Sequence, residues 1–234
     1  MPEPVFLYRD DTALKAHAAY REAKAGDAMA AFCLVQDLAR PLCERAARQF
    51  PRDACYVAPH AVEATGENAI PTILATTIAD EAGADVDSAI VQREQVFHTG
   101  ADPMERLNAR ATFDGPVRAG GRYVLVDDVT TMGGTLADLA DHIQQNGGEV
   151  AGLVVIVNAA RSGQIVPSSR LSLTLERRFG DVIPALFHIV PAALTHEESR
   201  YLIGFRTADE LRNRSLKARQ ATVDRLRAKG LARS

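Results

Sequence analysis

The chain of 234 residues has no tryptophan, only three cysteines, and no lysine between Lys24 and Lys217. The missing tryptophan says nothing about function. Cys33, Cys43 and Cys55 are odd in number and lack CxxC spacing. They therefore argue against a disulfide framework or a zinc site and read as buried small hydrophobes in a reducing cytoplasm. No apolar run approaches the roughly 20 residues that a membrane-spanning helix needs. The acidic start Met1-Pro2-Glu3-Pro4 does not read as a signal peptide. The expected location is the cytoplasm, with no membrane partner. Internal repeats and low-complexity stretches are missing too. The net charge of −3 gives no global reason to expect nucleic acid or an anionic surface. What remains is ordinary for a globular protein, with 47% hydrophobic and 24% charged residues. The length suits one sizeable α/β domain with additions, or two small ones.

Periodicity divides the chain. The Ala-rich stretch from about Thr12 to Phe50 is helical in character, with Asp27 as an N-cap and Pro41 ending or kinking a helix near Ala39. A strand is expected over Ala54–Ala58, a helix over Pro71–Glu81, and another strand over Asp87–Gln92. Leu136, Leu139, Ala140 and Ile143 share one helical face, which Asn146-Gly147-Gly148 terminates. Glu149–Val157 is a continuous apolar strand of the parallel, buried kind. Alternating strands and helices predict an α/β fold with a doubly wound, mostly parallel sheet. Ligands bind such sheets at the carboxyl ends of the strands. Thr195-x-x-Glu198 and Thr207-x-x-Glu210 are capping-box patterns that start two more helices. The last 35 residues carry ten Lys/Arg against three acids. This basic helical tail reads first as a solvated face, and as a nucleic-acid contact second. The expected division is an N-terminal helical region over 1–52, an α/β core over 53–194, and a helical basic C-terminal extension over 195–234.

The most informative stretch is Tyr123-Val-Leu-Val-Asp-Asp-Val-Thr-Thr-Met-Gly-Gly-Thr135. An apolar strand, Tyr123–Val126, ends on Asp127 and Asp128; a Thr/Gly turn follows, and a helix begins at about Gly134. A buried strand fixes its last residues, small turn residues let backbone N–H groups converge, and the helix aims its positive end at the same point. A ribose 5-phosphate satisfies both halves: phosphate in the turn, ring hydroxyls donating to the two carboxylates. The segment Val124–Thr135 resembles the ribose-phosphate motif of the type I phosphoribosyltransferases, whose ligand is 5-phosphoribosyl-1-pyrophosphate (PRPP), with Mg²⁺. Met132 departs from the family, which often has Thr there. The resemblance covers residues 54 to about 158. Within it, Gly66-Glu67-Asn68-Ala69 and Arg106-Leu107-Asn108 with Phe113 look like the ComF-type branch, although the zinc cysteines common in that branch are missing.

The resemblance implies a ribose-phosphate site formed by Asp127, Asp128, Val129, Thr130, Thr131, Met132, Gly133, Gly134 and Thr135. It implies catalytic roles for Asp127, Asp128 and Arg106, with Mg²⁺ reached by Asp127 and Asp128 indirectly, through Mg–PRPP. The loop Ala58–Asn68 matches the family's pyrophosphate loop in position, so His60 and Ala61 are expected at the pyrophosphate. The long polar connection Arg93–Gly121 reads as a lid that brings in Arg93, His98, Arg106 and Arg110. Of these, Arg93 and Arg110 are assigned with His60 and Ala61 to the pyrophosphate. Thr131 replaces the Asp that 6-oxopurine members use as a base, and the lysine-free lid argues against orotate. The acceptor is not named by the sequence, and its recognition elements lie in the N-terminal helices or after Asn158. The leading function is transfer of ribose 5-phosphate from PRPP to a nucleobase-like or amine acceptor, with release of pyrophosphate, by a chain that forms a homodimer. The alternative is a non-catalytic PRPP- or nucleotide-binding regulatory or accessory protein that contacts nucleic acid through its tail. A ribosyl hydrolase is the third reading.

Overall fold

Apolar runs separated by helices build one parallel sheet in the computed structural model, which describes residues 1–59, 62–63, 66–93 and 101–228. The strands in chain order are β1 (Val5–Tyr8), β2 (Cys55–Val57), β3 (Val62–Glu63), β4 (Gly66–Glu67), β5 (Asp85–Asp87), β6 (Val91–Gln92), β7 (Phe113–Asp114), β8 (Arg122–Thr130) and β9 (Glu149–Asn158). The helices are α1 (Thr12–Ala16), α2 (Tyr20–Lys24), α3 (Ala28–Leu34), α4 (Arg40–Gln49), α5 (Ala69–Ala82), α6 (Pro103–Asn108), α7 (Gly134–Gln145), α8 (Ser169–Phe179), α9 (Val182–Phe187), α10 (His196–Ile203) and α11 (Ala208–Ala228). The main sheet has the order β1-β9-β8-β2-β5, with every neighbouring pair parallel. Short antiparallel pairs, β3 with β4 and β6 with β7, lie apart from it.

Helices cover both faces. On one, α3, α4 and α5 contribute Leu34, Leu42, Leu74 and Ile78 to a core with Val124, Val126, Val154 and Ile156. On the other, Leu136, Leu139, Ala140 and Ile143 of α7 pack against Tyr123, Leu125, Leu153 and Val155. A third cluster joins Met104 and Leu107 of α6 to α8, α9, α10 and α11.

Several elements depart from the sequence expectation. The segment 1–52 is not purely helical: Val5–Tyr8 pairs with β9 as an edge strand, so the first residues belong to the sheet. The interruption expected from Pro41 near Ala39 takes the form of a change of helix type, not a helix end. A π-helical turn over Val35–Ala39 joins α3 to α4 and accommodates the proline, whose ring would clash with the carbonyl four residues back in a regular helix. Asp87–Gln92 is not one strand. The Asp87 carboxylate accepts the Ala89 N–H and turns the chain out of the sheet. Val91–Gln92 then pairs with Phe113–Asp114, and Gly115 passes so close to Ala89 that a Cβ there would meet the Ala89 carbonyl oxygen at 2.2 Å. Cys43 and Cys55 are buried, but Cys33 is exposed on α3. Among the described residues, no helix is long and apolar enough to cross a membrane.

Candidate functional site

Strand β8 is longer than its apolar run. Its pairing with β2 ends at Leu125↔Val57, while its pairing with β9 continues to Thr130↔Asn158. Asp127 and Asp128 therefore lie within the strand, on an overhang past β2, rather than just beyond its end as expected. Pairing with β9 to the last residue holds the overhang straight. A turn of three residues, Thr131–Gly133, then leads into α7. Gly133 is the N-cap at φ +78°, a left-handed conformation that suits glycine, and no side chain caps the helix. The first N–H groups of this 12-residue helix thus have no side-chain cap, and they follow the carboxylates by one short turn.

The two carboxylates differ. Asp128 is 4% exposed. One of its oxygens accepts from Lys24 Nζ at 3.3 Å and from Asn68 Nδ2 at 3.2 Å, and the other accepts the Val129 N–H at 2.9 Å. Asp127 is half-buried, and its Oδ1 accepts the Asp128 N–H at 2.8 Å. Burial, followed by the neighbouring negative charge of Asp128, pushes the Asp127 carboxyl well above the usual carboxylate range. One carboxylate is tethered by side-chain and backbone donors, whereas the other has, among the described residues, only the neighbouring N–H and is disfavoured as an anion by burial and by Asp128.

The turn is braced from three sides. Arg106 of α6 donates from Nη1 to Thr131 Oγ1 at 2.7 Å and from Nε to the Ala101 carbonyl at 3.1 Å. Thr195 Oγ1 donates to the Met132 carbonyl at 2.5 Å. The Met132 side chain packs against the third hydrophobic cluster, so the residue that departs from the family pattern anchors the turn to the C-terminal helices. A Cβ at Gly133 would lie 3.5 Å from Thr195 Cγ2 and 3.6 Å from Ile165 Cδ1. These are ordinary contact distances, so a Cβ at Gly133 would face this bracing without a clash, and the constraint there is the left-handed backbone.

Of the residues assigned from sequence, Asp127 through Thr135 and Arg106 come together. Arg110 does not join them as a ligand-facing cation. It donates from Nη1 to Glu198 Oε1 at 2.8 Å, and from Nε and Nη2 to Asp138 Oδ1 at 2.8 and 2.6 Å. This triad is almost wholly buried and ties α7 to α10, so the pyrophosphate assignment of Arg110 is corrected to a structural one. Arg93 sits in an exposed pair with Asp114 at 3.5 Å. His60, Ala61 and His98 lie outside the described residues. The described part of the expected lid is ordered differently: it contains β7 and the capping-box helix α6, with Met104 and Leu107 in a hydrophobic core.

Sequence reasoning missed Lys24 and Asn68 as partners of Asp128. Asn68 had a local signal, since it caps α5 by accepting the Ile70 N–H. Lys24 is 104 residues from Asp128 and had none.

Residues 72–180 match the family model described as phosphoribosyl transferase domain. Protein TraN of Escherichia coli is 35% identical over 218 residues, which is 89% of this chain and 48% of TraN; the chain spans about half the length of that relative. An adenine phosphoribosyltransferase of Cenarchaeum symbiosum (strain A) is 45% identical over 47 residues, 20% of this chain and 28% of that protein. The crystal structure of adenine phosphoribosyltransferase from Leishmania tarentolae aligns with 69% of this chain and 97% of that one at 14% identity and a TM-score of 0.38, a likeness too weak to carry an argument. Strands β5, β8 and β9 of the main sheet, the carboxylate pair on β8 and the glycine-started helix fall within the matched segment, whereas β1 and β2 precede it. Over that segment, a little under half of its length, the chain is similar to the phosphoribosyl transferase domain family.

Proposed function

We propose that the chain binds Mg²⁺–PRPP and transfers its ribose 5-phosphate to a nucleobase-like or amine acceptor. The observation that carries this reading is the juxtaposition of Asp127 and Asp128 with the uncapped N-terminus of α7. In the reaction the bond from ribose C1 to the pyrophosphate oxygen breaks, a bond from C1 to the acceptor nitrogen forms, and pyrophosphate leaves. The turn Thr131–Gly133 and the first N–H groups of α7 hold the 5-phosphate, and the carboxylates accept from the ribose hydroxyls. Lys24 and Asn68 hold the Asp128 carboxylate in its orientation for that task. Arg106 adds a fixed positive charge at the Thr131 hydroxyl. Among the described residues, no cluster of three or more His, Cys, Asp or Glu could hold a metal by itself. The donor set fits an ion that arrives with a diphosphate and takes one or two protein carboxylates, Asp127 and Asp128. Such an ion supplies charge neutralisation for the departing pyrophosphate. Thr131 is not a base near neutral pH, so the acceptor nitrogen sheds its proton elsewhere.

The second reading, a PRPP- or nucleotide-binding module without turnover, has one observation in its favour. Arg110 is occupied by two carboxylates and Arg93 by Asp114, so neither adds charge to a leaving pyrophosphate in this arrangement. Calorimetric titration of Mg²⁺–PRPP into wild type and Asp127→Asn tests the site. Pyrophosphate release across an acceptor panel then separates the readings. Saturable binding lost in the variant supports the site, and release supports transfer. Binding without release on any acceptor favours the module, and absence of binding to wild type removes both.

A further inference from the structure

Helix α6 has six residues, far short of the roughly 12–15 that an isolated helix needs to persist in water. It nevertheless carries Arg106, the cation on the phosphate turn. Its stability comes from both ends. At its N-terminus Asp102 and Glu105 form a reciprocal capping box, and each divides its two oxygens between α6 and α11. Asp102 Oδ1 accepts the Met104 and Glu105 N–H groups, while Oδ2 accepts from Arg214 Nη2 at 2.5 Å. Glu105 Oε2 accepts the Asp102 N–H, while Oε1 accepts from Thr222 Oγ1 at 2.9 Å and from Arg225 Nη2 at 3.2 Å. At the other end Asn108 donates to the Ser215 carbonyl and accepts from Ser215 Oγ. The Arg225–Glu105 pair is the drier of the two ion pairs, with side chains 19% and 7% exposed against 34% and 37% for Arg214–Asp102. It is therefore the one less screened by solvent and salt.

We infer that Arg225, Thr222 and Arg214 of α11 are positioning residues: they hold α6 in place and thereby set the Arg106 guanidinium against the phosphate turn. The basic C-terminal helix then acts on the site through α6, and these two arginines serve the fold's own carboxylates. Because binding free energies are reciprocal, a phosphate ligand in the turn also tightens the docking of α11.

The experiment uses the full chain and two readouts. Amide hydrogen exchange at residues 104–109, without ligand, reports whether α6 is held. Titration with ribose 5-phosphate reports the turn; that arm rests on the function proposed above, whereas the exchange arm does not. Arg225→Ala should speed exchange at 104–109 by about tenfold or more and weaken ribose 5-phosphate roughly tenfold. Arg225→Lys, which can still reach Glu105, should restore both. In a cycle with Arg106→Ala, the affinity losses should fail to add, because Arg225 acts through Arg106. Should Arg225→Ala unfold the chain, Thr222→Ala provides a milder loss at the same Glu105 oxygen, with the same expected direction. Wild-type exchange at 104–109 in both variants, or affinity losses that add in the cycle, would overturn the inference. If wild type binds no ribose 5-phosphate, the proposed function fails, and the exchange rates alone decide whether α11 holds α6.

Discussion

Replacing Arg110 by methionine should destabilise the protein strongly without being a ligand-site change. The substitution keeps the aliphatic stem and removes three charge-assisted hydrogen bonds, leaving Asp138 and Glu198 facing each other at side-chain exposures of 14% and 4%. Breaking a buried pair by removing one partner costs about 3–5 kcal/mol, most of it the stranded charge. In a chain of this size about 1 kcal/mol moves the melting temperature by roughly 2–4 °C, so a drop of about 6–20 °C is expected at pH 7. The penalty should shrink at pH 5. Burial pushes the Asp138 carboxyl up to about 6, more than Arg110 offsets, so at pH 5 Asp138 already holds a proton and one stranded charge is gone. For wild type the sign follows from the same shift. A carboxyl raised in the folded state is protonated where the unfolded chain has lost its proton, so its contribution to stability is fully present below about pH 4 and is lost as pH rises through about 6. Asp138→Asn should flatten that slope. Melting curves followed by circular dichroism at pH 5 and 7 provide the assay. An Arg110→Met protein that melts within about 2 °C of wild type at pH 7 yet loses PRPP affinity would refute the reasoning and return Arg110 to the ligand.

Asp127→Asn should leave the melting temperature nearly unchanged and abolish Mg²⁺–PRPP binding. Asp128→Asn should also cost about 1–3 kcal/mol of stability, because Lys24 loses its buried anion; equal melting of the two variants would contradict the asymmetry described. Since the ligand-free Asp127 carboxyl is raised, affinity for Mg²⁺–PRPP should increase with pH and binding should release protons, measurable by calorimetry in two buffers of different ionisation enthalpy. Gly133→Ala should lower stability by roughly 1–2 kcal/mol through its left-handed backbone, with affinity falling as the turn relaxes away from that conformation, measured by melting and by Mg²⁺–PRPP titration. Native chain treated with an aromatic disulfide should lose one thiol quickly, Cys33. Burial lifts Cys43 and Cys55 to about 11 and keeps them slow until denaturant is added.

The parts legible in the sequence were those whose signal is local. Strand β8, its glycine turn and the apolar face of α7 are contiguous, and the capping pattern Thr195–Glu198 is complete within four residues. Asp27 and Asn68 cap the helices that directly follow them. Missing from such a reading were contacts closed across the chain. Arg110 resembled a lid cation because the carboxylates that bind it lie 28 and 88 residues further on. Within the expected lid Arg93–Gly121, helix α6 was not read because the residues that stabilise it belong to α11. Val5–Tyr8 is too short to declare itself a strand without β9 beside it.

That last pairing has a consequence for synthesis. β1 emerges from the ribosome well before its partner β9, since Val5 pairs with Val154, nearly 150 residues later. At roughly 5–20 residues per second, the opening segment spends several seconds or more with its sheet edge unmatched while the helices after it are already being made. Strand β1 thus has to wait for β9 before it can join the main sheet, although it precedes every other strand of that sheet in the chain.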